Sequence, residues 1–453
     1  MYKRQGCILA PSLFNLFLAD LPPALPSSGT SPPSLNGVPV PILYADDAVL
    51  LSITKPGLRL LLSSFQEYCF SNELLINPEK TKILVFSKSW APTAWKIGNL
   101  SFQQVQSFKY LGITFHSQLS WTHHRKAAIS SVMPHLNAVA RFHFSSGNQY
   151  IPAALHIFQI KTLFQLLYGA PIWIEAANQD LDKVAASFLR RILGVPNLIR
   201  LSTLILELGM HLPSTIAWSL TFKFWLRLHL NTQPDSILND LLKDPFSSKW
   251  FNILDAKLAS LDLSPESLSD TTLHRAHQII KSKLWQQELN LLLPNLNPIC
   301  SPHFFGLSPS LGRPSNYFSK LINPSKRRAF MLARLNIFPS AVHFGRFANI
   351  PRINRLCLFC SSEPDTLDHI LFRCPTHQHL RNNILEPLLS SLFVSLADPL
   401  PTLLSDYSAT ITSVVADFLL AVSKSKPLPH PPPASPSQFL PSRPSFLVCN
   451  TMT

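Results

Sequence analysis

Forty of the chain's 453 residues are proline and only 13 are glycine. Proline locks φ and donates no backbone hydrogen bond, so regular elements are interrupted often and joined by stiff connections. Collagen-like and Gly/Ser-linker architectures are excluded. The length exceeds what one compact core holds and predicts two to four folding units. Apolar residues make up 46% and charged residues 14%, ample for sizeable cores and too little charge for a chain disordered throughout.

Lysine and arginine number 39 against 25 acidic residues, a net charge of +14 that favours anionic partners, either nucleic acid or an acidic membrane surface. The longest uncharged runs, Leu21 to Ala45 and Leu289 to Gly312, are broken by Pro, Ser and Asn, so neither predicts a membrane span. No small-residue cleavage site of secretory type follows Met1 to Gln5, and a soluble intracellular protein is the expectation. Seven cysteines are an odd number. Three of them, Cys357, Cys360 and Cys374, share one short window, which favours metal binding over a disulfide framework.

Two short apolar runs, Val38 to Leu43 and Ala48 to Ile53, flank Tyr44-Ala45-Asp46-Asp47 and predict a β-hairpin with the acidic pair at its tip. Leu58, Leu61, Leu62, Phe65, Tyr68 and Cys69 recur at helical spacing and predict a helix over Gly57 to Glu73. Leu74 to Ile76 and Ile83 to Phe86 then flank the turn Asn77-Pro78-Glu79. This order predicts an α+β domain with its sheet on one side and helices on the other. Helical patterning takes over from about Ser117. Its clearest stripe is Leu181, Val184, Ala185, Phe188, Leu189 and Ile192, with Asp180 and Asp182 early, Arg190 and Arg191 late, and Gly194 and Pro196 as stops. Leu380 to Val422 reads as mostly helical, and Pro427 to Pro444 holds eight prolines and reads as an extended tail.

Two adjacent carboxylates can hold Mg²⁺, which needs only one or two protein carboxylates beside substrate phosphates. Asp46 and Asp47 are the candidates, and an ordinary Asp-containing turn is the alternative. The chain resembles the reverse transcriptases of non-LTR (LINE-type, jockey-like) retrotransposons in four ordered blocks. Arg4 to Asn15 resembles the block before the catalytic hairpin, and Tyr44-Ala45-Asp46-Asp47 the hairpin itself. Asn77-Pro78-Glu79-Lys80-Thr81-Lys82 resembles the following block, and Phe108-Lys109-Tyr110-Leu111-Gly112 the primer grip.

The resemblance implies RNA-templated DNA synthesis from deoxynucleotides on a DNA primer, by two-metal phosphoryl transfer. It assigns Asp46 and Asp47 to Mg²⁺ and catalysis, and Lys80 to protonation of the leaving pyrophosphate. Gln5, Gly6, Pro11, Phe14, Asn15 and Tyr44 are assigned to template and nucleotide, and Tyr110, Leu111 and Gly112 to the primer. It also implies nuclear action and no membrane partner. The family places a third carboxylate upstream of the Gln-Gly block, and only five residues precede Gly6. An N-terminally truncated piece that does not polymerise alone is therefore expected.

Cys357, Cys360, His369 and Cys374 follow one another with two, eight and four intervening residues. Thiolates and an imidazole in so short a window suit tetrahedral Zn²⁺ in a closed structural site, and the pattern resembles the zinc-knuckle-like element near the C-terminus of many non-LTR reverse transcriptases. Free buried cysteines beside a surface His are the alternative, His377 or His379 are substitute ligands, and Asp365 or Asp368 is expected to hold the second ring nitrogen of His369. Arg313 to Arg355 carries nine Lys/Arg and no acid, interleaved with Tyr317, Phe318, Phe330, Phe338, Phe344 and Phe347. This reads either as phosphate-neutralising cations with base-stacking aromatics, or as a basic face over a Phe-lined core. His123 and His124 beside Arg125 and Lys126 are a smaller candidate of the same kind.

The expected organisation is a partial polymerase palm over 1–116, a mainly α-helical thumb-like region over 117–312, and a basic, zinc-binding nucleic-acid module over 313–380. A helical segment over 381–423 and a Pro-rich tail over 424–453 complete it. A non-enzymatic nucleic-acid-binding remnant, acting through the basic block and zinc site, is the rival expectation.

Overall fold

The computed structural model describes residues 9–26, 34–35, 38–39, 41–87, 91–146, 151–174, 179–197, 199–231, 248–268, 271–294, 314–321, 323–345, 349–391, 399–404 and 408–425. The Pro-rich tail lies outside them. The chain divides into two compact units, one of Met1–Ser131, Leu166–Ala177 and Ala217–Ile280, the other of Val132–Gln165, Asn178–Ile216 and Lys281–Thr453.

In the first unit, helices α1 (Ala10–Phe17) and α2 (Leu21–Ala24) precede a pair of two-residue strands, β1 (Ser34–Leu35) and β2 (Val38–Pro39). A hairpin follows, β3 (Ile42–Tyr44) and β4 (Asp47–Val49), then the long helix α3 (Lys55–Ser71). Helix α3 starts two residues before the expected Gly57 because Thr54 caps it: the Thr54 hydroxyl accepts from Gly57 N at 3.1 Å, and Pro56 occupies the first turn.

Strands β5 (Lys82–Leu84), β6 (Trp95–Ile97) and β7 (Leu100–Val105) form a sheet in the order β5-β7-β6, with β5 parallel to β7. Strands β8 (Ser107–Tyr110) and β9 (Ile113–His116) form a separate hairpin. The α+β expectation holds, but several small sheets replace the single sheet expected, and Leu74 to Ile76 forms no strand.

Two apolar clusters hold α3 in place. Leu61 and Tyr68 pack with Leu18, Leu21 and Leu25, and Leu43 and Leu50 of the acidic hairpin lean on that cluster. Leu62 faces Ile83, Trp95, Ile97 and Phe102 of the three-stranded sheet, again with Leu50 alongside. In β3 the anchoring Leu43 lies between the exposed Ile42 and Tyr44, as the two-residue period of a strand requires.

Helix α4 (Thr122–Ser145) leads on to α5 (Ile151–Ile157), a π-helical stretch Phe158–Leu163, α6 (Phe164–Leu166) and α7 (Ala170–Trp173). Next come α8 (Gln179–Leu193), α9 (Leu201–Leu208) and α10 (Pro213–Asn231). In the second unit α8 buries the whole predicted stripe and ends at Gly194 with φ +62°.

The helix Pro324–Arg334 packs against the helix Ala409–Ser425, which buries Ile411, Val415, Phe418, Leu419 and Val422. No described helix is long and apolar enough to cross a membrane.

Part of the basic block folds inward: Arg327 and Arg334 are buried, whereas Lys320, Arg328 and Arg352 are exposed. Tyr317, Phe318, Phe330 and Phe338 are buried and Phe344 is exposed, while Phe347 lies outside the described residues. Arg327 donates to the Leu321 carbonyl, Arg328 to those of Leu193 and Gly194, and Arg355 to those of Ile350 and Val342. Lys326 pairs with Asp417 at 2.5 Å, and Arg334 pairs with Glu207. Base stacking by the four buried aromatics is thereby corrected: they build a core. The partners that the local sequence lacks come from distant segments and from carbonyls.

Candidate functional site

In the acidic hairpin Ile42 faces Val49, Leu43 faces Ala48 and Tyr44 faces Asp47. The turn is therefore the two residues Ala45 and Asp46. Asp46 occupies the tip and Asp47 begins the return strand, which corrects the placement of both at the tip. A two-residue hairpin needs positive φ in its turn, and Ala45 supplies it at φ +51°. Without glycine's freedom this costs roughly 1 kcal/mol. Tyr44, Asp46 and Asp47 are all exposed.

The second hairpin has the same form. Tyr110 faces Ile113, and the turn residues Leu111 and Gly112 have φ +46° and +87°. The Tyr110 hydroxyl is buried and makes no hydrogen bond among the described residues. Burial raises its pKa, and the negative charge of Asp47 raises it further.

Lys80 is exposed in the turn after α3, where Asn77 Oδ1 accepts from its backbone N at 3.1 Å and from Glu79 N at 3.0 Å. Pro11 falls in the first turn of α1, Phe14 packs on the Leu18–Leu61 cluster, and Asn15 is exposed. Gln5 and Gly6 lie outside the described residues. Asp20 accepts a 2.5 Å hydrogen bond from the Tyr68 hydroxyl. Among the described residues no third His, Cys, Asp or Glu joins Asp46 and Asp47 in a metal-binding group. Two open carboxylates still match the donor chemistry of Mg²⁺ with substrate phosphates.

In the second unit Cys357, Cys360, His369 and Cys374 converge, their ligand atoms all within 4.8 Å of one another. Cys357 Sγ lies 3.8 Å from Cys374 Sγ, and Cys360 Sγ lies 3.2 Å from His369 Nε2. Ligands at ordinary zinc distances on a tetrahedron stand about 3.5–3.8 Å apart, so the set can hold zinc.

Local structure creates the convergence. A bridge between Leu356 and Pro364 closes the first loop, and Cys357 N donates to the Glu363 carbonyl at 2.8 Å. The π-helical stretch His369–Arg373 returns the chain so that Cys374 N donates to the His369 carbonyl at 2.7 Å. Arg381 then secures the exit by donating to the carbonyls of Leu371 and Cys374.

Glu363, not Asp365 or Asp368, faces the second ring nitrogen of His369, with Oε2 3.1 Å from Nδ1. Asp365 is buried and accepts from Ala341 N at 2.7 Å, and Asp368 pairs with Arg373. Glu363 lies inside the loop between Cys360 and His369, farther along the chain from His369 than either aspartate. His377 packs edge-on against Phe359 and His379 is exposed beside Asn383, so neither belongs to the cluster.

Burial pushes the Cys357 thiol up to about 12. Burial also opposes ionisation of Cys360, but hydrogen bonds from Ser362, Cys357 and His369 outweigh it and bring that thiol down to about 6.

Residues 3–115 match the family model described as Reverse transcriptase (RNA-dependent DNA polymerase). The chain is similar to the RNA-directed DNA polymerase from mobile element jockey of Drosophila melanogaster, 24% identical over 247 residues, 52% of this chain and 26% of the relative. It is also similar to the probable RNA-directed DNA polymerase from transposon BS of the same organism, 26% identical over 221 residues, 46% of this chain and 24% of the relative. The jockey polymerase of Drosophila funebris matches over 203 residues at 24% identity. The chain spans about a quarter of the length of these relatives. The acidic hairpin, the Asn77–Lys82 turn and the Tyr110–Gly112 turn all lie inside the segment, residues 3–115, that is similar to reverse transcriptases.

Proposed function

We propose that this chain is part of a non-LTR retrotransposon polymerase that copies RNA into DNA. The single observation that carries it is that the acidic hairpin, the Asn77–Lys82 turn and the Tyr110–Gly112 turn all fall, in order, within residues 3–115, the segment that matches the reverse transcriptase model. Asp46 and Asp47 would hold Mg²⁺. When bound, Mg²⁺ supplies charge neutralisation at the attacking and leaving oxygens of the displacement. Lys80 would hand a proton to the departing pyrophosphate, and Gln5, Gly6, Pro11, Phe14, Asn15 and Tyr44 would line the template and nucleotide path. Zinc held by Cys357, Cys360, His369 and Cys374 would brace a nucleic-acid-binding module, and action would be nuclear.

Two carboxylates without a third beside them leave the metal site incomplete among the described residues, so the chain alone is expected not to polymerise. A chimera placing the upstream portion of the jockey polymerase before Gly6 is expected to extend a DNA primer on an RNA template. Asp46→Ala in that chimera should abolish extension and leave RNA affinity intact. Extension by the Asp46→Ala chimera would overturn the assignment.

The Cys/His cluster favours a second function, nucleic-acid binding without catalysis. It would be supported by a chimera that binds RNA with salt-sensitive affinity yet never extends a primer.

A further inference from the structure

Gly112 and Gly169 sit in a reciprocal close approach within the first unit. A Cβ on Gly112 would fall 2.7 Å from the Tyr168 ring, and a Cβ on Gly169 would fall 2.2 Å from Ile113 Cδ1. Both glycines have positive φ, +87° and +67°. Each backbone thus receives the side chain that neighbours the other glycine, a fit that a Cβ at either position would break.

Hydrogen bonds close the same contact. The Tyr168 hydroxyl donates to the Leu111 carbonyl at 3.1 Å, and Trp173 Nε1 donates to the Tyr168 carbonyl at 2.8 Å. Thr114 N donates to His124 Nδ1 at 3.1 Å, and the His124 ring lies 5.5 Å from that of Trp173. The turn is therefore tied to Tyr168, 57 residues further along the chain, and the start of β9 to His124, whose ring neighbours Trp173. Tyr168 remains 51% exposed and Leu111 39%, so the outer side of this clasp is open to a ligand.

We infer that Tyr168 is a positioning residue: it clasps the Leu111-Gly112 turn so that the exposed turn presents one fixed shape to a primer end. A hairpin turn of two left-handed residues, one of them glycine, has alternative conformations of similar energy. The hydroxyl bond and the ring over Gly112 select one of them. The inference rests on the polymerase reading for its ligand and on geometry for its mechanics.

The test uses the whole chain as wild type, Tyr168→Phe, Tyr168→Ala and Gly112→Ala. Two measurements are made: hydrogen exchange of peptides covering 107–116, and anisotropy of a labelled RNA–DNA duplex with a recessed DNA 3′ end against the blunt duplex of the same sequence. Wild type is expected to prefer the recessed end. Tyr168→Phe, which keeps the ring and loses one hydrogen bond, should speed exchange about 2- to 10-fold and reduce the preference by a similar factor. Tyr168→Ala and Gly112→Ala should do more, with affinity for the blunt duplex unchanged in the two Tyr168 variants. Unchanged exchange in Tyr168→Ala overturns the clasp. Faster exchange with no end preference in wild type overturns the polymerase reading and with it the role in primer positioning.

Discussion

Arg334 and Glu207, 127 residues apart in sequence, meet inside the second unit as a two-pronged ion pair, Nε to Oε1 at 2.8 Å and Nη2 to Oε2 at 3.0 Å. Both side chains are buried. Arg334 also donates to the Leu404 carbonyl, and its guanidinium lies 5.5 Å above the Tyr317 ring. One residue thereby joins α9, the Tyr317–Lys320 turn of helix and the end of the Pro399–Leu403 helix.

Removing one partner strands the other charge in the core. Arg334→Ala is expected to destabilise the second unit by about 3–5 kcal/mol, and the pair Arg334→Met with Glu207→Leu to recover most of that loss. Urea unfolding followed by circular dichroism measures both. A loss below about 1 kcal/mol in Arg334→Ala would mean that water reaches the pair.

Purified chain should carry one zinc by elemental analysis, and Cys374→Ser should lose it. Glu363→Gln is expected to weaken zinc affinity about 10- to 100-fold, because the carboxylate orients His369 through Nδ1. Asp368→Asn should leave affinity unchanged, since Asp368 pairs with Arg373 instead. Equal effects of the two substitutions would remove Glu363 from this role.

The cysteines differ in reactivity once metal is stripped by a chelator. At neutral pH the Cys360 thiol, drawn down to about 6 and only half-buried, should be alkylated first by iodoacetamide. Cys357, buried and pushed up to about 12, should react last. Peptide mass spectrometry over a time course gives the order. Simultaneous labelling would indicate that the loop unfolds without metal.

Acid should destabilise the second unit through His143. His143 is 1% exposed. Burial lowers its pKa, the Ile192 carbonyl partly offsets this, and the charge of Arg327 adds to it. The folded chain therefore binds this proton more weakly than the unfolded chain. The contribution to stability is fully present above the ordinary value of 6.5 and is lost as the pH falls through the lower, folded one. Urea midpoints should fall between pH 7.5 and 5, and His143→Leu should flatten the slope. An unaltered slope in that variant would assign the acid sensitivity elsewhere.

Local spacing was enough to read the acidic hairpin, the stripe of α8, the stop at Gly194 and the four converging ligands Cys357, Cys360, His369 and Cys374. Each depends on residues close in sequence, where turn chemistry and the periods of strand and helix decide the outcome. The hairpin's register was not legible to the residue: Tyr44 pairs with Asp47, so only Asp46 shares the tip with Ala45.

What tertiary structure alone decided lies between distant segments. Burial of Tyr317, Phe318, Phe330 and Phe338, the pairing of Arg334 with Glu207, the choice of Glu363 over two nearer aspartates and the seat of Tyr168 on Gly112 all follow from packing. A basic run with no acid of its own reads as a surface because its partners are out of sight along the chain. Folding brings them in because a buried guanidinium must find a carboxylate or carbonyl wherever the chain can supply one.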